Sequence, residues 1–277
     1  MRIDTHQHFW RYDPVQYTWM GPNMEVLKKD HLPEQLQPLI RDSAIDGTVA
    51  VQARQTLEES QWLLELATRL PFIKGVVGWV DLRGLDVKDQ LQKLASHSKF
   101  RGVRHIVQDE PNDQFMLRAD FLRGLGQLAT FDLTYDLLLY PRHLPVAVEV
   151  VKRFPTQSFV LDHISKPLIK KHELAPWDAQ IRRLAKFQNV YCKISGMVTE
   201  ADWQHWKPSD FKPYLDVILE SFGTNRVMIG SDWPVCTLAA SYSQVMQIVA
   251  DYLEGLSKDE QEHIWSVNAI QFYKLHS

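Results

Sequence analysis

The sequence predicts an α/β protein built as one (β/α)8 TIM barrel, on three observations. Eight short β-rich segments recur along the 277 residues, and most are followed by a segment with helical periodicity. Most are nearly continuous apolar runs with polar residues at their C-terminal ends, as in parallel strands buried on both faces. A doubly wound sheet is the structural alternative, but it usually has a glycine-rich turn after its first strand, and this chain has THQHFW there.

The strands are expected in chain order at eight places. They begin near Ile3, Gly47, Lys74, Gly102, Leu133, Ser158, Val190 and Val227. Two intervening segments show a clear apolar stripe at helical spacing. These stripes are formed by Val87, Leu91, Leu94 and Ala95, and by Tyr242, Val245, Met246 and Val249. The last helical segment begins SKDE, where Ser257 and Glu260 are spaced as a capping box.

The segment after the first strand breaks the alternation. From Phe9 to about His31 it is rich in aromatic residues, contains proline and has no clear periodicity. It is too long for an ordinary strand-to-helix connection. In a barrel this long aromatic loop would lie at the C-terminal mouth, where loops build sites. No repeat or linker interrupts the chain, so residues 1–277 are expected to form a single domain.

Composition excludes several classes of function. The formal net charge of −3 argues against nucleic-acid binding, which needs a basic face. No apolar run is long enough to span a bilayer, and the N-terminus lacks a signal-peptide pattern. The two cysteines, Cys192 and Cys236, imply no disulfide framework. We therefore expect a cytoplasmic protein that binds neither nucleic acid nor membrane.

Polar residues gather where the predicted strands end. His6 and His8 end the first strand, His163 ends the sixth, and Asp232 follows the eighth. Barrel enzymes place their active sites at this rim. A single Asp after a strand is commonly a turn or capping residue, and a single His is commonly structural. The convergence of four such residues nevertheless favours a site.

These motifs resemble the amidohydrolase superfamily. The HxH on the first strand, LDHISKP on a later strand and GSDWPV on the last are most similar to its branch of sugar-lactone hydrolases, which includes L-fuconolactonase and L-rhamnonolactonase. RGVRH followed by Gln108, and NAIQFYKL near the C-terminus, extend the resemblance from Ile3 to about Leu275. The resemblance implies a hydrolase that opens an aldonolactone to its sugar acid.

The metal content implied by the resemblance is at most one ion. Superfamily members with two metals carry a bridging Lys or Glu on strand four and a further His on strand five, and GVRHIV and LTYDLLLY contain neither. His6, His8, His163 and Asp232 remain, which suits one divalent ion, by ligand type Zn²⁺, with an open position. The same four residues can also work without a metal.

Lactone hydrolysis assigns roles to these residues. Asp232 is the expected general base, which takes a proton from the attacking water and returns it to the leaving alkoxide. A metal on His6 and His8 would polarise the carbonyl. Without a metal, protonated His163 or Arg104 would stabilise the oxyanion. Cys236, shortly after GSDWP, is expected to pack as a small hydrophobe rather than act as a nucleophile.

Recognition of a polyhydroxylated ring needs hydrogen-bonding groups and aromatic surfaces near the strand ends. The candidates are Gln52, Arg104, His105, Lys166, Trp10, Trp79 and Trp233, with Arg54 and Tyr140 nearby. For each one alone a structural role is the competing explanation, such as core packing for Trp79 or a solvated charge for Lys166.

Two other functions stay open at this stage. A metal-dependent amide hydrolase or decarboxylase on the same barrel would share the HxH and the last Asp. A non-catalytic sugar-binding barrel would have no need of a general base. The expected partner is a small sugar lactone, and self-association into a homo-oligomer is left open.

Overall fold

The computed structural model describes residues 1–276, in which eight parallel strands form one sheet with the order β1 to β8. The strands are β1 (Ile3–Gln7), β2 (Gly47–Val51), β3 (Ile73–Gly78), β4 (Phe100–His105), β5 (Thr134–Leu137), β6 (Phe159–Leu161), β7 (Val190–Ile194) and β8 (Val227–Ile229). Hydrogen bonds from Thr5 Oγ1 to the Ile229 carbonyl (2.7 Å) and from His8 N to the Trp233 carbonyl (2.7 Å) join β8 to β1. The predicted (β/α)8 barrel is confirmed.

Helices connect and surround the strands. They are α1 (Pro33–Asp42), α2 (Leu57–Arg69), α3 (Val87–Ala95), α4 (Ala119–Leu125), α5 (Leu144–Arg153), α6 (Trp177–Leu184), α7 (Met197–Glu200), α8 (Pro208–Phe222), α9 (Tyr242–Leu253), α10 (Lys258–Glu262) and α11 (Asn268–Tyr273). Both apolar stripes lie on helices, α3 and α9. The capping box before α10 is confirmed, because Ser257 Oγ accepts from Glu260 N and the Glu260 carboxylate accepts from Ser257 N.

Apolar side chains fill the half of the barrel interior nearer the N-terminal ends of the strands. Ile3, Val49, Val51, Val77, Val160 and Met228 from the strands pack with Ala269, Phe272, Tyr273 and Leu275 from the C-terminal segment. The last helix therefore closes the N-terminal end of the barrel. The half nearer the C-terminal ends of the strands is polar and contains the candidate site.

A shift of register in β1 turns His6 towards the barrel interior. Pairing with β2 is regular up to Asp4 and shifts before Gln7. Ile3 faces the barrel interior, and His6, an odd number of residues later, also faces it. Strict alternation would have placed His6 on the opposite face from Ile3, so the irregularity in β1 determines where the imidazole points.

The long segment after β1 crosses the mouth of the barrel with little regular structure. It contains one short 3₁₀ turn, Glu25–Leu27, and Trp10 pairs with His31 across its ends. The Trp10 indole Nε1 donates to the carbonyls of Leu27 (3.2 Å) and Lys29 (2.9 Å), which ties the segment to the barrel. This is the long aromatic loop that the sequence predicts.

Two expectations from the sequence concern the cysteines and membrane-spanning segments. Cys192 and Cys236 are free thiols and fully buried, and burial raises the pKa of the Cys236 thiol well above its usual range, which fits packing rather than nucleophilic chemistry. Within residues 1–276, no helix has the length and apolar character needed to cross a membrane.

Candidate active site

The Asp232 carboxylate lies among three imidazoles at the C-terminal end of the barrel. Its Oδ1 is 3.3 Å from His8 Nε2 and 3.9 Å from both His6 Nε2 and His163 Nε2. Asp232 has a left-handed backbone (φ 58°), and its N–H donates to the His6 carbonyl at 2.8 Å. The turn after β8 therefore aims this carboxylate back over β1, and the four residues predicted to cluster do so.

The environment keeps Asp232 ionised. Burial alone would raise the pKa of Asp232, but His163, His8 and Lys166 outweigh it and hold that pKa below the usual value for aspartate. Among residues 1–276 the ion-pair contacts of Asp232 are with histidines alone, so this buried and charged carboxylate is suited to accept a proton or to bind a cation.

The histidine next to Asp232 has a defined tautomer. His8 Nδ1 lies 2.8 Å from the Val51 carbonyl oxygen. Because a carbonyl only accepts, Nδ1 must carry the proton and donate it. His8 Nε2 is therefore the ring nitrogen that faces Asp232 and the cavity, 3.3 Å from Asp232 Oδ1.

His6 is held between a carboxylate and a guanidinium. Its Nδ1 lies 3.3 Å from Asp162 Oδ1, and its Nε2 accepts from Arg104 Nη1 at 3.1 Å. Arginine only donates, so the neutral ring has its proton on Nδ1, facing Asp162. Burial lowers the pKa of His6 well below its usual value, which keeps the ring neutral.

A buried network of charges supports this ring from below. The Lys193 ammonium lies 2.6 Å from Asp136 Oδ2 and 3.0 Å from Asp162 Oδ1, and all three side chains are inaccessible to solvent. Arg104 pairs with the other oxygen of Asp162 at 3.2 Å. Two cations thus balance two carboxylates, and Asp232 forms no ion pair with either cation. Although burial alone would raise the pKa of Asp162, Lys193, His6 and Arg104 hold it well below its usual range.

The third imidazole sits on a strained turn after β6. Residues 163–166 all adopt left-handed backbone conformations, with φ between 47° and 61°. His163 Nδ1 lies 2.9 Å from Ser195 Oγ, and a Cβ on Gly196 would come within 2.6 Å of the same nitrogen. A glycine is therefore needed opposite the ring. Burial lowers the pKa of His163 well below its usual value, which leaves Arg104 rather than His163 as the permanent cation.

His8, His163 and Asp232 of this cluster form the floor of a cavity of about 240 Å³ at the mouth of the barrel, whereas the His6 side chain is fully buried and does not line it. Six of the sequence candidates line it: His8, Arg104, Tyr140, His163, Lys166 and Asp232. Lys166 Nζ lies 5.5 Å above the Tyr140 ring and, among residues 1–276, has no side-chain hydrogen bond or ion pair of its own. It is therefore available to a ligand.

Several predicted binding residues lie behind or beside the cavity wall. Gln52 is fully buried, and its Oε1 accepts from Arg104 Nη2 at 2.9 Å, so it positions the guanidinium. His105 stacks on Phe115 (4.7 Å) and pairs with Glu110 (2.6 Å) on the outer side of β4, and Trp79 donates to His105. None of these three side chains lines the cavity.

The other three candidates, Trp10, Trp233 and Arg54, pack against the segments that surround the mouth of the barrel. The Trp10 and Trp233 rings both pack against His31, at 5.1 and 5.5 Å, beneath the loop after β1. Arg54 lies 3.8 Å from Glu59 and above the Tyr17 ring. They too are absent from the cavity lining.

Sequence reasoning missed other residues of the site. Lys193 and Asp136 form the buried network, and Trp19, Glu200 and Trp203 line the cavity. A lysine in the apolar strand VYCKIS was an available signal, because a charge inside a buried strand needs a partner. Glu200 and Trp203 follow β7 in a segment that carried no such signal.

The donor set fits one divalent ion. His6, His8 and Asp232 offer two nitrogens and one carboxylate oxygen that lie within 4.8 Å of one another. Imidazole nitrogens and carboxylate oxygens are ligand types that zinc prefers. The proximity of Arg104 to His6 Nε2 weakens the fit, because the guanidinium uses the same lone pair and adds a positive charge there.

Comparison with known proteins assigns the family. A family model described as amidohydrolase matches residues 3–275. The chain belongs to the amidohydrolase family. It is 42% identical, over 99% of its length and 96% of the relative's, to L-fucono-1,5-lactonase from Burkholderia multivorans. It is 34% identical, with the same coverage, to L-fucono-1,5-lactonase from Burkholderia ambifaria. The resemblance inferred from the motifs is confirmed.

A solved structure has the same fold and contains zinc. The crystal structure of an amidohydrolase from Burkholderia multivorans with bound zinc covers 100% of both chains, with a TM-score of 0.96 and 42% identity. The sequence-based expectation of a divalent-metal site on an amidohydrolase barrel therefore has support in both the His/Asp cluster and a relative.

Proposed function

We propose that this amidohydrolase hydrolyses a sugar lactone to its sugar acid, with L-fucono-1,5-lactone as the first substrate to test. The observation that carries the proposal is the ionised Asp232 carboxylate at the floor of the cavity, 3.3 Å from His8 Nε2. Two relatives that match almost the whole chain are L-fucono-1,5-lactonases, which supports the choice of substrate.

Asp232 acts as the general base. A water within hydrogen-bond reach of Asp232 loses its proton to the carboxylate as it attacks the lactone carbonyl. The ring-opening step releases an alkoxide that stays attached to the product. Asp232 returns the proton to it, which restores the carboxylate.

Fixed positive charge stabilises the oxyanion. Arg104 is held by Asp162 and Gln52, so its charge is in place before the reaction. Lys166 supplies a second, movable cation at the cavity wall. Burial raises the pKa of Glu200, which lines the same wall, so this side chain is suited to hydrogen bonding with ring hydroxyls.

A divalent ion, by ligand type zinc, would be held by His6, His8 and Asp232, with His163 alongside. When bound, such an ion polarises a carbonyl and lowers the pKa of water. The relative with bound zinc supports this choice of metal.

The remaining candidates act in support of this site. Gln52 holds Arg104, whereas Trp10 and Trp233 hold the loop after β1 in place. His105 and Trp79 pack between β4 and its neighbours, and no substrate contact is assigned to them. A single domain over residues 1–277 and self-association stay predictions.

A panel of substrates tests the function. Aldonolactones, simple amides and aromatic carboxylic acids are offered to the purified protein, and acid production in weak buffer and CO₂ release are measured. We expect acid from L-fucono-1,5-lactone above its spontaneous opening, and neither amide hydrolysis nor CO₂. CO₂ release or amide cleavage without lactone opening would favour the alternative reactions, and binding of a lactone without turnover would indicate a binding protein.

A further inference from the structure

The cavity has two chemically different faces. Trp19, Met24, Ala53, Val235 and Leu238 line one side, and we call them the apolar face. All five belong to one hydrophobic cluster around Trp10 and Leu27. The rest of the lining comes from the end of β4 and the loops after β4 to β7. We call it the polar face, because it carries the polar groups of Arg104, Gln108, Asp109, Tyr140, Lys166 and Glu200 beside Ile106, Leu138, Thr199 and Trp203.

The apolar face is preformed. The 3₁₀ turn Glu25–Leu27 contacts the 3₁₀ turn Val235–Leu238, so the loop after β1 and the turn after β8 brace each other. The Trp10 indole anchors the first of these segments through two carbonyls and packs edge-on against Trp19 at 5.8 Å. Met24, Val235 and Leu238 are only half-buried, which leaves apolar surface open to the cavity.

The apolar face begins next to the proposed general base, Asp232. Val235 lies three residues after Asp232, in a turn closed by a hydrogen bond from Cys236 N to the Asp232 carbonyl at 2.9 Å. A substrate whose carbonyl reaches Asp232 must therefore place one edge against the apolar face. A hydroxyl on that edge would lose its water and find no partner among the aliphatic side chains.

We infer that the apolar face binds the C6 methyl group of a 6-deoxyaldonolactone, while the polar face binds the ring hydroxyls. This inference rests on the proposed lactone hydrolysis and adds the residues that select among lactones. Val235, Leu238 and Met24 are its specificity-determining residues. Because an apolar pocket rejects an added hydroxyl only moderately, the preference over the 6-hydroxy analogue is about 10- to 100-fold in kcat/KM.

A pair of lactones tests the inference. L-Fuconolactone and L-galactonolactone of the same ring size differ only by the hydroxyl at C6. The expected result is a wild-type preference for L-fuconolactone of about 10-fold or more. Val235→Thr keeps the shape of the side chain and adds a hydroxyl, so it lowers the preference by roughly threefold or more. Met24→Gln, of similar length and in a different segment, does the same.

The matched control is Val26→Thr. Val26 lies in the turn beside Met24, is 40% exposed and does not line the cavity, so this variant keeps the wild-type preference. Equal kcat/KM for the two lactones in the wild-type protein would overturn the inference, as would an unchanged preference in both cavity variants. Failure of the wild-type protein to open either lactone would instead contradict the proposed function.

Discussion

At the scale of single residues, the site depends on backbone conformations that bring side chains together. Asp232 and His163 both lie in left-handed turns, at φ values of 58° and 53°. Such conformations are costly for residues other than glycine, and they persist where the surroundings determine them. These two residues face each other across the floor of the cavity, with His163 Nε2 3.9 Å from Asp232 Oδ1.

The close approach of Gly196 to His163 gives a prediction. Gly196→Ala forces the imidazole to move, because the new Cβ would lie 2.6 Å from its Nδ1. We expect kcat/KM for lactone hydrolysis to fall by about 10-fold or more, since small displacements of reacting groups are expensive.

The matched control separates backbone strain from collision. Gly223 also has a positive φ (66°), with a ψ of 176° that is even less accessible to alanine, and a Cβ there would meet nothing within 4 Å. Gly223→Ala is therefore expected to lower stability at least as much as Gly196→Ala without changing kcat/KM. Equal kcat/KM in Gly196→Ala and Gly223→Ala would show that the position of the His163 ring does not affect the reaction.

Residue types at strand ends could be predicted from the sequence, but the faces they occupy could not. Arg104 and His105 are neighbours at the end of β4, so one faces the barrel interior and the other the helices. Both were predicted to bind ligand, and only Arg104 lines the cavity. Likewise, Lys193 needed its partners Asp136 and Asp162, which lie on other strands and have no pattern in common with it.

At the scale of elements, strand and helix positions were predictable because buried parallel strands have a strong apolar pattern. The contribution of the last helix could not be predicted from the sequence. Tyr273 of α11 reaches into the barrel, and its hydroxyl donates to Asp136 Oδ2 at 2.7 Å. The same carboxylate oxygen holds Lys193 at 2.6 Å. The C-terminal element thus completes the charged network beneath the site.

Tyr273→Phe tests this link. It removes one hydrogen bond to a buried carboxylate, so we expect the free energy of unfolding to fall by about 1.5–3 kcal/mol. Tyr252→Phe is the matched control, because its hydroxyl donates to Asp216 at 2.8 Å in a half-buried position. Urea denaturation of both variants should show the larger loss for Tyr273→Phe. A smaller or equal loss would remove α11 from the support of the network.

At the scale of the whole molecule, a bound metal links β1 to the turn after β8, where the barrel closes. Zinc added to metal-free protein is therefore expected to stabilise the fold by mass action. At about a hundredfold excess over Kd, Tm should rise by roughly 5 °C or more. Elemental analysis should find at most about one ion per chain, since the two candidate donor groups share His6.

Two variants identify the metal site. His8→Ala removes one of the three donors and should abolish the rise in Tm. His205→Ala removes an imidazole that is 79% exposed and far from the donor set in the chain, and it should leave the rise intact. A rise that survives His8→Ala, or no rise with the wild-type protein, would contradict a zinc site formed by these residues.

The central claim is that Asp232 is the base in lactone opening. The direct measurement is kcat/KM for L-fucono-1,5-lactone, read as proton release, for the wild-type protein, Asp232→Asn and the surface control Asp259→Asn. The wild-type and control proteins should match, and Asp232→Asn should lose about 10²-fold or more with its fold intact, because the amide cannot accept the proton. A folded Asp232→Asn protein with near wild-type kcat/KM would contradict the account.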